Sequence, residues 1–225
     1  MVESWKLYVI VLKLMILQAC VCCEPVDPTQ GFRYVAVDSS NFKVQRPYDM
    51  PVNGRYNFSN GVHRLWVYDT DKPFMQGSDT LPRTEIRITG HDYTSGVWQF
   101  EGSGYVPSGT TGVCIMQVFG GSSSATTLQM SDKNNTTLQI RVYGGTLKRY
   151  ESEELLQNMY NRWFRLNVIH DVAASKVTVY IDGALKYNGP GRRQAFHYFK
   201  FGVYTQNDPS HYMESRWKDI KLFTK

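Results

Sequence analysis

From His197 to Gln206 the chain alternates so regularly that few backbone conformations can carry it. Successive side chains of a β-strand point to opposite faces, so Phe199, Phe201 and Val203 share one face while Tyr198, Lys200, Tyr204 and Gln206 share the other. The first face needs a core. The second is too polar for a core and too aromatic for an ordinary solvated surface. Gly202 falls on this second face and is read as a gap through which something can approach the backbone. Arg83 to Ile88 repeats the pattern, with Thr84, Ile86 and Ile88 on an apolar side and Arg83, Glu85 and Arg87 on a charged side.

The rest of the chain follows the same period. Strand patterns run over 32–37, 64–68, 97–106 (through Gly102 and Gly104), 113–119, 126–130, 137–143, 146–150, 162–172, 176–181, 184–187 and 213–223. In the Val113 segment Cys114, Met116 and Val118 form one face, and Val113, Ile115, Gln117 and Phe119 the other. Gly144-Gly145 and Asp182-Gly183 are tight-turn signals between strands. Residues 39–60 and 70–82 carry loop chemistry, and Glu151 to Asn161 reads as a short helix. About a dozen short strands without repeat or linker predict a single all-β antiparallel sandwich or jelly roll, with a concave groove on one sheet. Trp66, Trp98 and Trp217 lie inside strand patterns and read as core.

The first residues have another character. Lys6, an apolar run from Tyr8 to Leu17 and small residues around Ala19 to Cys23 read as a signal peptide over 1–23, ahead of a domain over 24–225. The apolar run is shorter than the ~20 residues that span a bilayer. An uncleaved anchor is the alternative, and no membrane insertion is expected after cleavage. The implied location is the secretory pathway, ending in the vacuole lumen or outside the cell. Asn57, Asn134 and Asn135 head glycosylation sequons. Cleavage leaves Cys114 as the remaining cysteine, read as a small buried hydrophobe without a disulfide framework. The net charge is +5, and losing Lys6, Lys13 and Glu3 lowers it by one. Without Lys/Arg runs, nucleic acid is not an expected partner.

Chemistry concentrates on the polar face. Residues two apart on a strand lie about 6.6 Å apart, so Glu85 stands between two guanidiniums, each a planar donor fork for carboxylates. Lys200, Tyr198, Tyr204 and the Gln117 amide extend the set. Such a face suits a polycarboxylate or an acidic sugar. It could also neutralise a uronate carboxylate while a tyrosine moves protons, as β-elimination requires.

Three stretches, Arg83-Thr84-Glu85-Ile86-Arg87, Gln117-Val118-Phe119 and Tyr198 to Gln206, resemble in order the R-x-E-x-R, Q-I/V-H and Y-F-K-x-G-x-Y-x-Q motifs of the alginate lyases of polysaccharide lyase family 7. The resemblance covers roughly residues 30–225 and implies a β-jelly roll whose cleft these residues line. The chain as a whole is similar to the plant citrate-binding proteins, secretory or vacuolar proteins with this domain. By position, Arg83 and Gln117 would neutralise a substrate carboxylate and Tyr204 would transfer the proton. Phe119 stands where the lyases carry a histidine, and an apolar ring cannot accept a proton. His63, His170, His197 and His211 read as structural or surface residues, and alternation turns His197 away from the site.

The resulting expectation is a binder of citrate or another polycarboxylate that leans away from catalysis. Arg83, Glu85, Arg87, Gln117, Tyr198, Lys200, Tyr204 and Gln206 would contact the ligand, with no cofactor or metal. The alternative is a polyuronate lyase using Arg83, Gln117 and Tyr204. A lectin for cell-wall glycans is a weaker third.

Overall fold

The computed structural model describes residues 26–120, 136–149, 153–191 and 196–225. Its strands are β1 (Arg33–Val35), β2 (Phe42–Gln45), β3 (Tyr56–Ser59), β4 (Val62–Tyr68), β5 (Arg83–Ile88), β6 (Val97–Tyr105), β7 (Val113–Gly120) and β8 (Thr136–Tyr143). They continue as β9 (Thr146–Arg149), β10 (Glu153–Leu156), β11 (Trp163–Asp171), β12 (Lys176–Ile181), β13 (Ala184–Pro190), β14 (His197–Thr205) and β15 (Tyr212–Thr224). Two short 3-10 turns, at Ser39–Asn41 and Val52–Gly54, are the only helical elements among the described residues.

Two antiparallel sheets result. The site sheet runs β10-β9-β8-β7-β14-β5-β2, and the backing sheet runs β13-β12-β11-β6-β15-β4-β3, with β1 also paired to β15. The all-β sandwich is therefore as expected. Period two explains the core. Phe199, Phe201 and Val203 turn inward from β14, Ile86 and Ile88 from β5, and Leu65, Phe100 and Trp217 from the backing sheet, all essentially inaccessible to solvent. Phe201 packs 5.7 Å from Trp217 and 6.0 Å from Phe100, ring centre to ring centre. Truncating an aromatic side chain buried this fully to alanine costs about 3–5 kcal/mol. The Trp217 indole N–H donates to Ser215 Oγ (3.1 Å), which donates to the Gly202 carbonyl (2.7 Å), tying the two sheets together.

β6 passes unbroken through Gly102 and Gly104. A Cβ on Gly104 would stand 2.7 Å from the Phe164 ring and 3.1 Å from Trp217, so these glycines admit the large inward rings. Gly144-Gly145 and Asp182-Gly183 form the expected turns, all four at positive φ.

Four expectations change. The helix expected over Glu151–Asn161 is not formed among its described residues, 153–161: Glu153–Leu156 is a strand whose Glu153 and Glu154 pair with Arg149 and Lys148 of β9. Its i,i+4 apolar pair, Leu155 and Met159, is buried from an edge strand and a turn instead. Asn158 (φ 51°) and Asn161 (φ 57°) adopt left-handed conformations that break a helix.

Cys114 is buried as expected, but on the other face. A β-bulge at Ile115 reverses the alternation, so Cys114 pairs with Tyr204 and Arg141 while Met116 pairs with Phe201.

Gly202 opens no gap toward a ligand. At φ +140° its missing Cβ would lie 2.4 Å from the Thr84 carbonyl, 2.7 Å from Glu85 Cα and 3.1 Å from Leu65, so it is strand β5 that comes close.

Of the three tryptophans read as core, Trp217 is buried and Trp98, partly covered, packs against the core, while Trp66 is only partly covered and lies outside it.

The 126–130 strand, the signal segment, Asn134 and Asn135 lie outside the described residues; Asn57 is exposed on β3.

Candidate functional site

The polar residues singled out from sequence meet on the outward face of the site sheet, because their strands are neighbours in register. Arg87 of β5, Lys200 of β14, Gln117 of β7 and Gln139 of β8 form one row. Arg83, Tyr204, Cys114 and Arg141 form another. Between them Glu85 stands opposite Gly202, and Tyr198 pairs with Phe119 at one end.

Glu85 is the hub. Lys200 Nζ and Gln117 Nε2 both donate to its carboxylate, and Arg83 Nη1 lies 3.6 Å away. Glu85, Gln117 and Lys200 are buried. Burial pulls the Lys200 ammonium below its usual range, with Glu85 acting the other way. These three residues therefore form a compensated floor, and the Lys200 charge is engaged by Glu85 rather than facing solvent.

The arginines lie above this floor, each laid flat on a tyrosine. The Arg83 guanidinium is 3.8 Å from the Tyr204 ring centre and that of Arg87 is 3.9 Å from Tyr198. Stacking fixes each plane and leaves its edge to donate. Arg87 also ion-pairs with Asp92 at 2.7 Å. Arg83 Nε, Arg87 Nε and Gln139 Nε2 are buried donors without a hydrogen-bond partner among the described residues. Leaving a buried donor unsatisfied costs about 1–3 kcal/mol.

The tyrosines are held protonated. Burial pushes Tyr198 up to about 12 and raises Tyr204, against the opposing pull of Arg87 and Arg83 respectively. Each phenol is thus kept as a hydrogen-bond donor and is costly to ionise. Gln206 lies just past β14, its amide donating to the carbonyls of Tyr204 (3.3 Å) and Thr205 (2.9 Å).

Phe119 packs 5.0 Å from Tyr198, with Lys200 Nζ 5.5 Å from its ring centre. His197 is buried between the sheets beside Tyr93 and His170, as alternation predicted. His63 is buried against Phe201, and His211 pairs with Asp69 in exposed loops.

Several residues of this face went unread in the sequence. Lys43 and Gln45 of β2 pair with Arg87 and Glu85, Gln139 and Arg141 reach the face from β8, and Asp92 (next to His91) holds Arg87 from a loop. The alternation Gln139-Ile140-Arg141-Val142 marked the strand correctly, but nothing local says that it lies beside Gln117.

This is the architecture of a lyase-type sandwich, and the chain belongs to the alginate lyase family, whose model matches residues 37–224. Among curated proteins it is 54% identical over 198 residues to a citrate-binding protein of Hevea brasiliensis, covering 88% of this chain and 79% of that one. The fold is shared with the alginate lyase from Corynebacterium sp. (TM-score 0.64, 16% identity, 90% and 100% of the two chains). It is also shared with an alginate lyase of polysaccharide lyase family 7 (TM-score 0.63, 18%, 82% and 94%). A third is a family 7 alginate lyase variant, with a histidine-to-asparagine and a tyrosine-to-phenylalanine change, in complex with substrate (TM-score 0.63, 14%, 84% and 94%).

Proposed function

We propose that this protein binds a polycarboxylate such as citrate on the Arg83–Arg87 face without cleaving a polymer. The observation that carries the reading is the pair of tyrosine-stacked arginines, whose Nε donors, with Gln139 Nε2, lack partners among the described residues. A ligand carboxylate would meet each fork edge-on, with the Glu85–Lys200–Gln117 floor holding the strands in register. The Hevea relative's name supports citrate as the first ligand to test.

Against catalysis stand Phe119 packed on Tyr198 and a Tyr204 phenol that burial keeps protonated. The lyase variant solved with its substrate had lost one histidine and one tyrosine, which fits a scaffold that holds an acidic chain without a working base. Calorimetry with citrate is the test: Arg87→Ala should weaken binding roughly tenfold or more, and unchanged affinity would remove the assignment. A rise in near-ultraviolet absorbance from new double bonds on alginate, glucuronan or pectate, abolished by Tyr204→Phe, would instead establish a lyase with Tyr204 as acid and base.

The same reading places the protein in the secretory pathway, in the vacuole lumen or outside the cell. Residues 1–23 have signal-peptide chemistry and Asn57 offers an exposed sequon. N-terminal sequencing of the secreted product should begin close after Cys23.

A further inference from the structure

We infer that the outer face of the backing sheet, opposite the proposed citrate site, is a second binding surface for a chain of carboxylated sugars. Arg64 of β4, Arg216 of β15, Tyr105 of β6 and Trp163 of β11 stand in register across four adjacent strands. At about 4.8 Å between strands the row extends about 14 Å. The next row brings Lys218 and Arg165 to either side of Ser103.

The cations are seated on rings. Arg216 lies 5.1 Å from the Tyr105 ring centre, Lys218 Nζ 4.8 Å from Trp163, and Arg64 5.1 Å from Trp66. One buried carboxylate orients both guanidiniums: Glu214 accepts from Arg64 Nε (2.9 Å), Arg216 Nε (2.6 Å) and the Tyr212 hydroxyl. The two arginine side chains remain 47% and 39% exposed, against 2% for Glu214. Arg64, Arg216, Lys218 and Arg165 face Glu214 and Asp219, with Asp27 acting on Arg165 and the Arg162–Asp182 and Lys221–Glu101 ion pairs alongside, so the surface keeps a small excess of positive charge. Asp219 accepts from Ser103, and Trp163 is itself 38% exposed.

This pattern selects a ligand. Guanidinium groups call for carboxylates, and the exposed part of the Trp163 ring offers an apolar surface for a sugar C–H face. A polyuronate offers one carboxylate and one such face per ring. A nucleic-acid backbone carries denser charge and would set phosphates over Glu214 and Asp219.

The test uses the full protein in affinity electrophoresis through gels containing pectate. Arg83→Ala/Arg87→Ala removes the citrate face, and pectate should still retard that variant. Adding Arg165→Glu/Lys218→Glu should weaken retardation roughly tenfold, and adding Trp163→Ala, which leaves the charge unchanged, should weaken it several-fold. In the otherwise native protein the outer-face changes should leave citrate calorimetry unchanged, so failure of the citrate reading and failure of this one show in separate measurements. Three results would overturn the inference: retardation lost with the Arg83/Arg87 pair alone, retardation indifferent to the outer-face variants, or equal retardation by dextran sulfate or duplex DNA. Thermal melts confirm that each variant is folded, and Trp163→Ala, at a half-exposed ring, keeps the test decisive should the charge reversals unfold.

Discussion

Replacing Glu85 by alanine removes the one carboxylate that pairs with Lys200 among the described residues, and Lys200 is buried from solvent. The ammonium must then stay buried unpaired, lose its proton, or drag β14 outward. Gln117 Nε2 loses its acceptor at the same time. Breaking a buried pair on one side costs about 3–5 kcal/mol, and the orphaned amide adds about 1 kcal/mol or more. For a domain of this size the expected fall in Tm is roughly 8–24 °C. Equilibrium urea unfolding provides the measurement, with the midpoint falling and the slope unchanged. The reasoning has a sharper form in a double-mutant cycle. Lys200→Met alone leaves Glu85 buried beside Gln117 and Arg83, and costs a comparable amount. Glu85→Gln alone, the other single corner, leaves Lys200 buried without its carboxylate; combined with Lys200→Met it removes both charges and should recover most of the loss, giving a coupling of about 2 kcal/mol or more. A Glu85→Ala cost below about 1 kcal/mol, or additivity in the cycle, would mean that the pair is hydrated and that the compensated floor does not exist.

Gly202→Ala should cost about 2–4 kcal/mol, because its Cβ would meet the β5 backbone at 2.4 Å and 2.7 Å. Gly61→Ala, at φ +74° but with nothing within 4 Å, should cost only about 1 kcal/mol; equal losses in urea titrations would refute the close-approach account. Burial holds His63 down to about 4, from an ordinary value of 6.5. The unfolded chain therefore takes up a proton there before the folded one does, and stability falls as pH drops from about 6.5 to about 4. The His63 share is about 2 kcal/mol between pH 7 and pH 4.5, and should disappear from the pH dependence of His63→Gln.

The faces of β5 and β14 were legible because strand period is a local property: Arg83, Glu85 and Arg87 share a side in any strand that contains them. The opposition of Arg87 and Lys200, or of Gln117 and Gln139, was not legible, because pairing partners come from segments tens of residues away. Cys114 shows where alternation fails. The bulge at Ile115 is set by how β7 fits between β8 and β14, and no residue in the segment announces it. The 151–161 segment shows the same for propensity: Leu155 and Met159 have helical spacing, yet β9 offers a free edge that the segment completes.

By itself, then, the sequence determined the fold class, the outward set of charged and phenolic side chains and the inward turn of His197, each from identity and period; the resemblance to the lyase motifs added that Phe119 stands where they carry a histidine. Tertiary structure alone decided that Lys200 is a buried partner of Glu85, that Gly202 exists for the approach of β5, and that Arg64, Arg216, Tyr105 and Trp163 line up across the opposite sheet. The physical reason is that burial, register and charge compensation belong to pairs of residues, and the members of each pair were brought together only when the sheets formed.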